Sequence, residues 1–174
     1  MNARRAFQSH QTRLAFVLWT LLFLFILRVL GQLSVALGFN SFLPPMTEWQ
    51  SGLIPYRPLL LSQLLIIILY GKVCLDFTRG AGFFWRARRR AGLWLLVSGA
   101  LYFASMVARY VVTMSLYPER RWMGGCIPVV FHLVLATFIL LVGRDYYVRS
   151  PQAEALRKSI KGESGRCRLM SINS

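Results

Sequence analysis

Acidic residues are scarce in this chain: six Asp and Glu stand against 21 Lys and Arg in 174 residues, giving a formal net charge of +15. With so few carboxylates there is no paired acid and base of the kind that hydrolases use. Cysteine is scarce too, at three residues, and so is histidine, at two. Cys126 and His132 form no metal set, because no further Cys, His or acid stands at ligand spacing. A nucleophile–base–acid pattern is also missing, and so is a glycine loop beside a lysine that would cradle phosphate. Serines such as Ser62, Ser98 and Ser105 lie in apolar surroundings and read as helix-packing residues. No reaction can be named from these residues, and catalysis is not the expected role.

Apolar residues dominate instead, at 56% of the chain. They gather in four runs, about 14–37, 59–75, 91–116 and 127–142, close to the roughly 20 residues that cross hydrocarbon as a helix. The expected fold is an all-α integral membrane protein of four transmembrane helices. Its parts are a basic arm (1–13), a transmembrane domain (14–143) and a basic, largely disordered tail (144–174) with a helix start at Ser150-Pro151. The first run is longer than a signal-peptide core and no A-x-A cleavage pattern follows it, so it reads as a retained helix.

Placement of the bases gives the expected orientation. Sixteen fall in the N-terminal arm, the connection between the second and third runs, and the tail, while the other two connections hold only Arg57, Arg120 and Arg121. Positive residues stay cytoplasmic, so both termini are expected inside, in a multi-pass protein of bacterial inner-membrane type. The eukaryotic alternative stays open. The charge is then a topology signal with attraction to anionic lipid headgroups as its second effect, and nucleic acid is not an expected partner. On this orientation Cys126 alone faces outward, which excludes an intrachain disulfide framework. Trp85 and Arg86 to Arg90 follow Gly80 to Gly82, a sequence that predicts a flexible basic loop rather than an ordered binding face.

An internal repeat is the most specific pattern present. Trp49, Gly52, Ile54 and Pro55 before the second run match Trp122, Gly125, Ile127 and Pro128 before the fourth, both reading W-x-x-G-x-I-P. Glu48 and Glu119 lie just upstream of the two copies. Tryptophan anchors at headgroup depth and proline suits a helix's first turn, so the motif fits a helix entering from an interface. It also fits duplication, with two similar helical hairpins related by an axis along the membrane normal.

Five polar residues interrupt the runs: Arg28, Gln32, Gln63, Arg109 and His132. All are expected in the outer half of the bilayer, where an arginine costs about 2.5 kcal/mol or more and should face the bundle interior or a wet cavity. No acid lies inside the runs themselves, which leaves Glu48 and Glu119 folding inward, an anionic ligand or a lipid phosphate as counter-charge. The cluster is thus either a structural lock or a pocket for an anionic or quinone-like molecule. Haem is disfavoured, since the other histidine, His10, lies in the basic arm and the second axial ligand to His132 would have to be Met106, Met114 or nothing. No cofactor is expected.

Size, four spans and inward termini are similar to the membrane quinone reductases that generate disulfide bonds. That resemblance covers topology alone. Those enzymes use two outer cysteine pairs, and one outer cysteine here excludes a thiol relay unless a partner supplies the rest. The expected function is therefore binding or assembly, as an accessory subunit touching a membrane-protein partner or a second copy. The alternative is a small-molecule or transport site built on the polar cluster.

Overall fold

Long runs of Leu, Ile, Val and Phe form helices because hydrocarbon offers no partner to an open backbone N–H or C=O. The computed structural model describes residues 2–38, 56–86, 88–116 and 126–172, with side-chain surroundings for 10–38, 56–86, 88–116 and 127–150. Its elements are α1 (Asn2–Ala36), α2 (Tyr56–Arg79), α3 (Arg89–Leu116) and α4 (Cys126–Ile172). All four are long and apolar enough to cross a membrane. Pro58 and Pro128 sit in the first turns of α2 and α4, where a missing N–H leaves no helical bond unmade.

α4 passes unbroken through Pro151, where the sequence reading places a helix start and a largely disordered tail. Pro151 cannot donate to the carbonyl four residues back, that of Tyr147. The Ser150 hydroxyl donates to that oxygen instead, at 3.2 Å, and replaces the lost bond.

Glycine determines the tightest helix contact. α3 and α4 meet at Gly92, Gly99 and Gly143, and a Cβ on Gly92 would stand 2.8 Å from the Tyr147 backbone nitrogen. One on Gly143 would stand 3.0 Å from the Leu96 nitrogen. Small residues let the two backbones approach where lipid provides no hydrophobic drive. α1 packs closely against α2 and α4, while α2 and α3 have no close backbone approach. Long side chains reach across that seam: Tyr70 of α2 and Tyr102 of α3 both pack on the core formed by Phe25, Val29 and Leu135.

A second core, at the end of the bundle where α2 leads into α3, is built around Leu18, Leu22, Cys74, Phe77, Phe138 and Tyr146. Facing outward are large apolar side chains such as Phe16, Leu61, Leu65, Ile68, Trp94 and Leu101. Such a surface is compatible with lipid contact.

Candidate functional site

Two of the five polar residues meet directly. The Gln63 amide nitrogen donates to the Gln32 side-chain oxygen at 3.0 Å, joining α1 to α2 with both side chains buried. His132 finds a different partner: a hydrogen bond of 2.6 Å joins its Nδ1 to the Tyr102 hydroxyl, and so α4 to α3. Tyr102 was not singled out from the sequence. A tyrosine in an apolar helix gives little warning of a polar role, though its position on the helix preceding the His132 helix was a usable hint.

The α1–α2 and α3–α4 pairs are thus each joined by polar side chains, and the exposed Trp19 indole N–H, donating to the Thr78 hydroxyl at 3.0 Å, adds a second bond between α1 and α2. Contacts between the pairs are softer. The Arg28 guanidinium lies over the Phe131 ring, 5.8 Å from its centre, and the Tyr70 hydroxyl donates to the Leu135 carbonyl at 3.4 Å while its ring stacks on Phe138. Arg28 late in α1, Arg109 late in α3 and His132 early in α4 fall toward the same end of the bundle.

Only one of the two arginines turns inward, contrary to the expectation for both. Arg28 is 8% exposed, whereas Arg109 lies on the open surface of α3. Only Gly92 and Gly99 are buried along α3, both at the half away from Arg109. Among the described residues Arg109 makes no hydrogen bond or ion pair. The proposed counter-charges Glu48 and Glu119 lie outside the described residues. So do Trp49, Gly52, Ile54, Pro55, Trp122 and Gly125 of the repeat, of which Ile127 and Pro128 are described.

Ser62, Ser98 and Ser105 do not pack between helices as expected. All three are exposed and donate to carbonyls three residues back, at 2.7, 3.3 and 2.8 Å. In lipid this satisfies the hydroxyl within its own helix.

The opposite end of the bundle holds chemistry that the sequence reading passed over. α2 and α4 extend beyond their apolar runs, and this brings Asp76 and Asp145 inside, 2% and 6% exposed. Asp76 accepts from Lys72 at 2.6 Å and from the Phe84 backbone N–H at 3.0 Å. Gly82, at φ +120°, lies so close to that carboxylate that any Cβ would collide with it. Expected to be flexible, the connection over 80–86 is instead wound around a buried acid. Tyr146 closes it from α4 by donating to the Phe84 carbonyl, and Arg149 donates to that of Trp85 at 3.3 Å.

Arg149 is the hub. Its Nε donates to Asp145 at 2.6 Å, and its guanidinium lies over the Trp85 ring at 4.2 Å and the Phe77 ring at 5.3 Å. A part-buried arginine that is both ion-paired and stacked is held in one orientation. Beside it, a cleft of about 340 Å³ opens between α1 and α4. No protein-family model, curated protein or solved structure matches this chain.

Proposed function

We propose that this protein is a membrane-embedded assembly subunit, with its termini in the cytoplasm and two similar hairpins, whose α3 surface docks a transmembrane helix of another protein. The observation that carries this reading is Arg109, exposed and without a described partner on an apolar helix that buries only two residues. It stands about 10 Å short of the end of α3 at Leu116, at a depth where a bare guanidinium is costly. Ala100, Ala104 and Ala108, four apart and all exposed, run up the same helix toward Arg109. Spacing of this kind admits a second backbone at close range.

Charge selects the kind of occupant. A parallel second copy of α3 would bring two Arg109 side chains together, so the complementary partner is a different helix with an Asp, Glu, Asn or Gln at matching depth. Support for the orientation comes from the bases: Lys72, Arg79, Arg86, Arg88, Arg89, Arg90 and Arg144 stand at the same end of the bundle as the start of α1. Polar side-chain pairs within each hairpin, buried at Gln32–Gln63 and part-buried at Tyr102–His132, support the duplicated architecture. The test is migration of the tagged protein from native membranes on a non-denaturing gel. A discrete complex that is larger than the protein and dissociates on Arg109→Gln is expected, and a complex unaffected by that substitution would oppose the reading.

A second reading has one observation in its favour. The Gln32 amide nitrogen and the Gln63 amide oxygen are both buried with no partner, one donor and one acceptor at the same contact. The Gln32 donor would suit the carbonyl of a quinone-like ligand, whereas one bridging water would satisfy both atoms. Loss of a stoichiometric bound organic molecule on Gln32→Leu would move this reading ahead.

A further inference from the structure

We propose that the cleft between α1 and α4 is a binding site for one anionic diacyl phospholipid, with the headgroup phosphate between Arg13 and Arg144. Two properties of the cleft lead there: its unused charge, and the direction in which its polarity falls. The inference rests on the membrane reading alone and is independent of a partner at α3.

Arg13 on α1 and Arg144 on α4 both line the cleft and both are exposed. Neither makes a hydrogen bond or ion pair with a described residue. The one acid in the lining, Asp145, is paired with Arg149 at 2.6 Å, and Arg149 is in turn stacked on Trp85. Asp145 therefore leaves the charge of Arg13 and Arg144 uncancelled. An anion arriving between them would meet two free guanidinium groups from two helices, the arrangement that suits phosphate oxygens.

Direction distinguishes a lipid from a soluble anion. Along α1 the lining passes from His10 and Arg13 to Leu14 and Val17, toward the apolar interior of the span. α4 runs the opposite way, and its lining passes inward from Arg144 to Leu141. The bases stand toward the mouth and Leu14, Val17 and Leu141 deeper, with Val148 the one apolar residue on the outer side of Arg144, and Val17 remains 41% exposed, open to the bilayer. A free phosphate would use the mouth and leave the apolar walls bare, whereas a phospholipid fills both. Basic pockets between helices at the cytoplasmic surface have this general chemistry.

The test is native mass spectrometry of the full chain in mild detergent with phosphatidylglycerol or phosphatidylcholine of identical acyl chains. Wild type is expected to retain one phosphatidylglycerol in preference to phosphatidylcholine. Arg13→Gln with Arg144→Gln should lower that retention about thirtyfold, from two near-surface bases, and Arg144→Gln alone about fivefold. Arg86→Gln with Arg88→Gln, an equal loss of charge outside the cleft, should leave it unchanged. Should the double variant misfold, the single variant and the charge-keeping pair Arg13→Lys with Arg144→Lys carry the test, the latter retaining lipid. The proposal is overturned by equal retention of the two lipids or by an equal loss in the Arg86/Arg88 control. Displacement of the lipid by excess inorganic phosphate would also overturn it, since the site would then belong to a soluble anion.

Discussion

Nδ1 of His132 lies 2.6 Å from the Tyr102 hydroxyl, and this bond does for α3 and α4 what Gln63 and Gln32 do for α1 and α2. The residue types differ while the role is shared. A buried hydrogen bond between neighbouring spans adds only about 0.6 to 2 kcal/mol, but it fixes which faces meet. The polar cluster therefore acts mainly within each hairpin, and the Arg28–Phe131 contact reaches between them.

Loss of the first clasp should be measurable. Gln63→Ala is expected to destabilise the protein by about 1 kcal/mol, partly because it strands the Gln32 amide. Replacing both residues with Leu should cost less than the two single substitutions added together, since no buried amide is then left unpaired. Unfolding by SDS titration from mixed micelles gives the cycle. Strict additivity would mean that the two amides do not act on each other.

Gly92→Ala should loosen α3 from α4 by about 1 to 3 kcal/mol, because its Cβ meets backbone at Tyr147 rather than a side chain that can move. Tyr102→Phe, which removes one hydroxyl from the same interface, should cost less. Cysteine pairs across the α3–α4 seam would report this as slower crosslinking in Gly92→Ala.

Asp76→Ala should release the 80–86 connection. The substitution removes the acceptor for Lys72 and for the Phe84 N–H, and Lys72 can then turn to solvent. Trypsin should cleave faster after Arg86 and Arg88 while the spans stay intact. Gly82→Ala should give the same pattern, since φ +120° and the Asp76 carboxylate both oppose a Cβ there. Unchanged cleavage in both variants would contradict the keystone role of Asp76.

The two arginines should separate in stability measurements. Arg28→Leu removes a buried group that contacts the α4 helix and should shift the SDS midpoint, whereas Arg109→Leu should leave it unchanged in the isolated protein. An equal shift for both would place Arg109 in the interior of the fold.

Much of this fold was legible from hydropathy, because in lipid an apolar run of sufficient length has one practical backbone solution. Hydropathy also marked Gln32 and Gln63 as costly residues at similar depth, but their direct meeting was not read from the sequence. The loop end was harder to read. Hydropathy ended the runs at about Leu75 and Val142 and so placed Asp76 and Asp145, one and three residues further on, outside, when the helices carry both into a buried network. Gly80 and Gly82 read as flexibility, although their positive φ values serve a tight wrap around Asp76. Arg109 was assigned inward by cost alone, and depth along a helix does not specify which face a residue takes.

Site-specific photo-crosslinking from Ala104, with Leu65 of α2 as control, tests the central claim most directly. Carried out in native membranes, it should give one discrete adduct from Ala104, to a helix bearing an acid or amide at matching depth, and that adduct should fade with Arg109→Gln. Adducts to lipid alone, an adduct of twice the protein's own mass, or one indifferent to Arg109 would contradict a docking surface on α3.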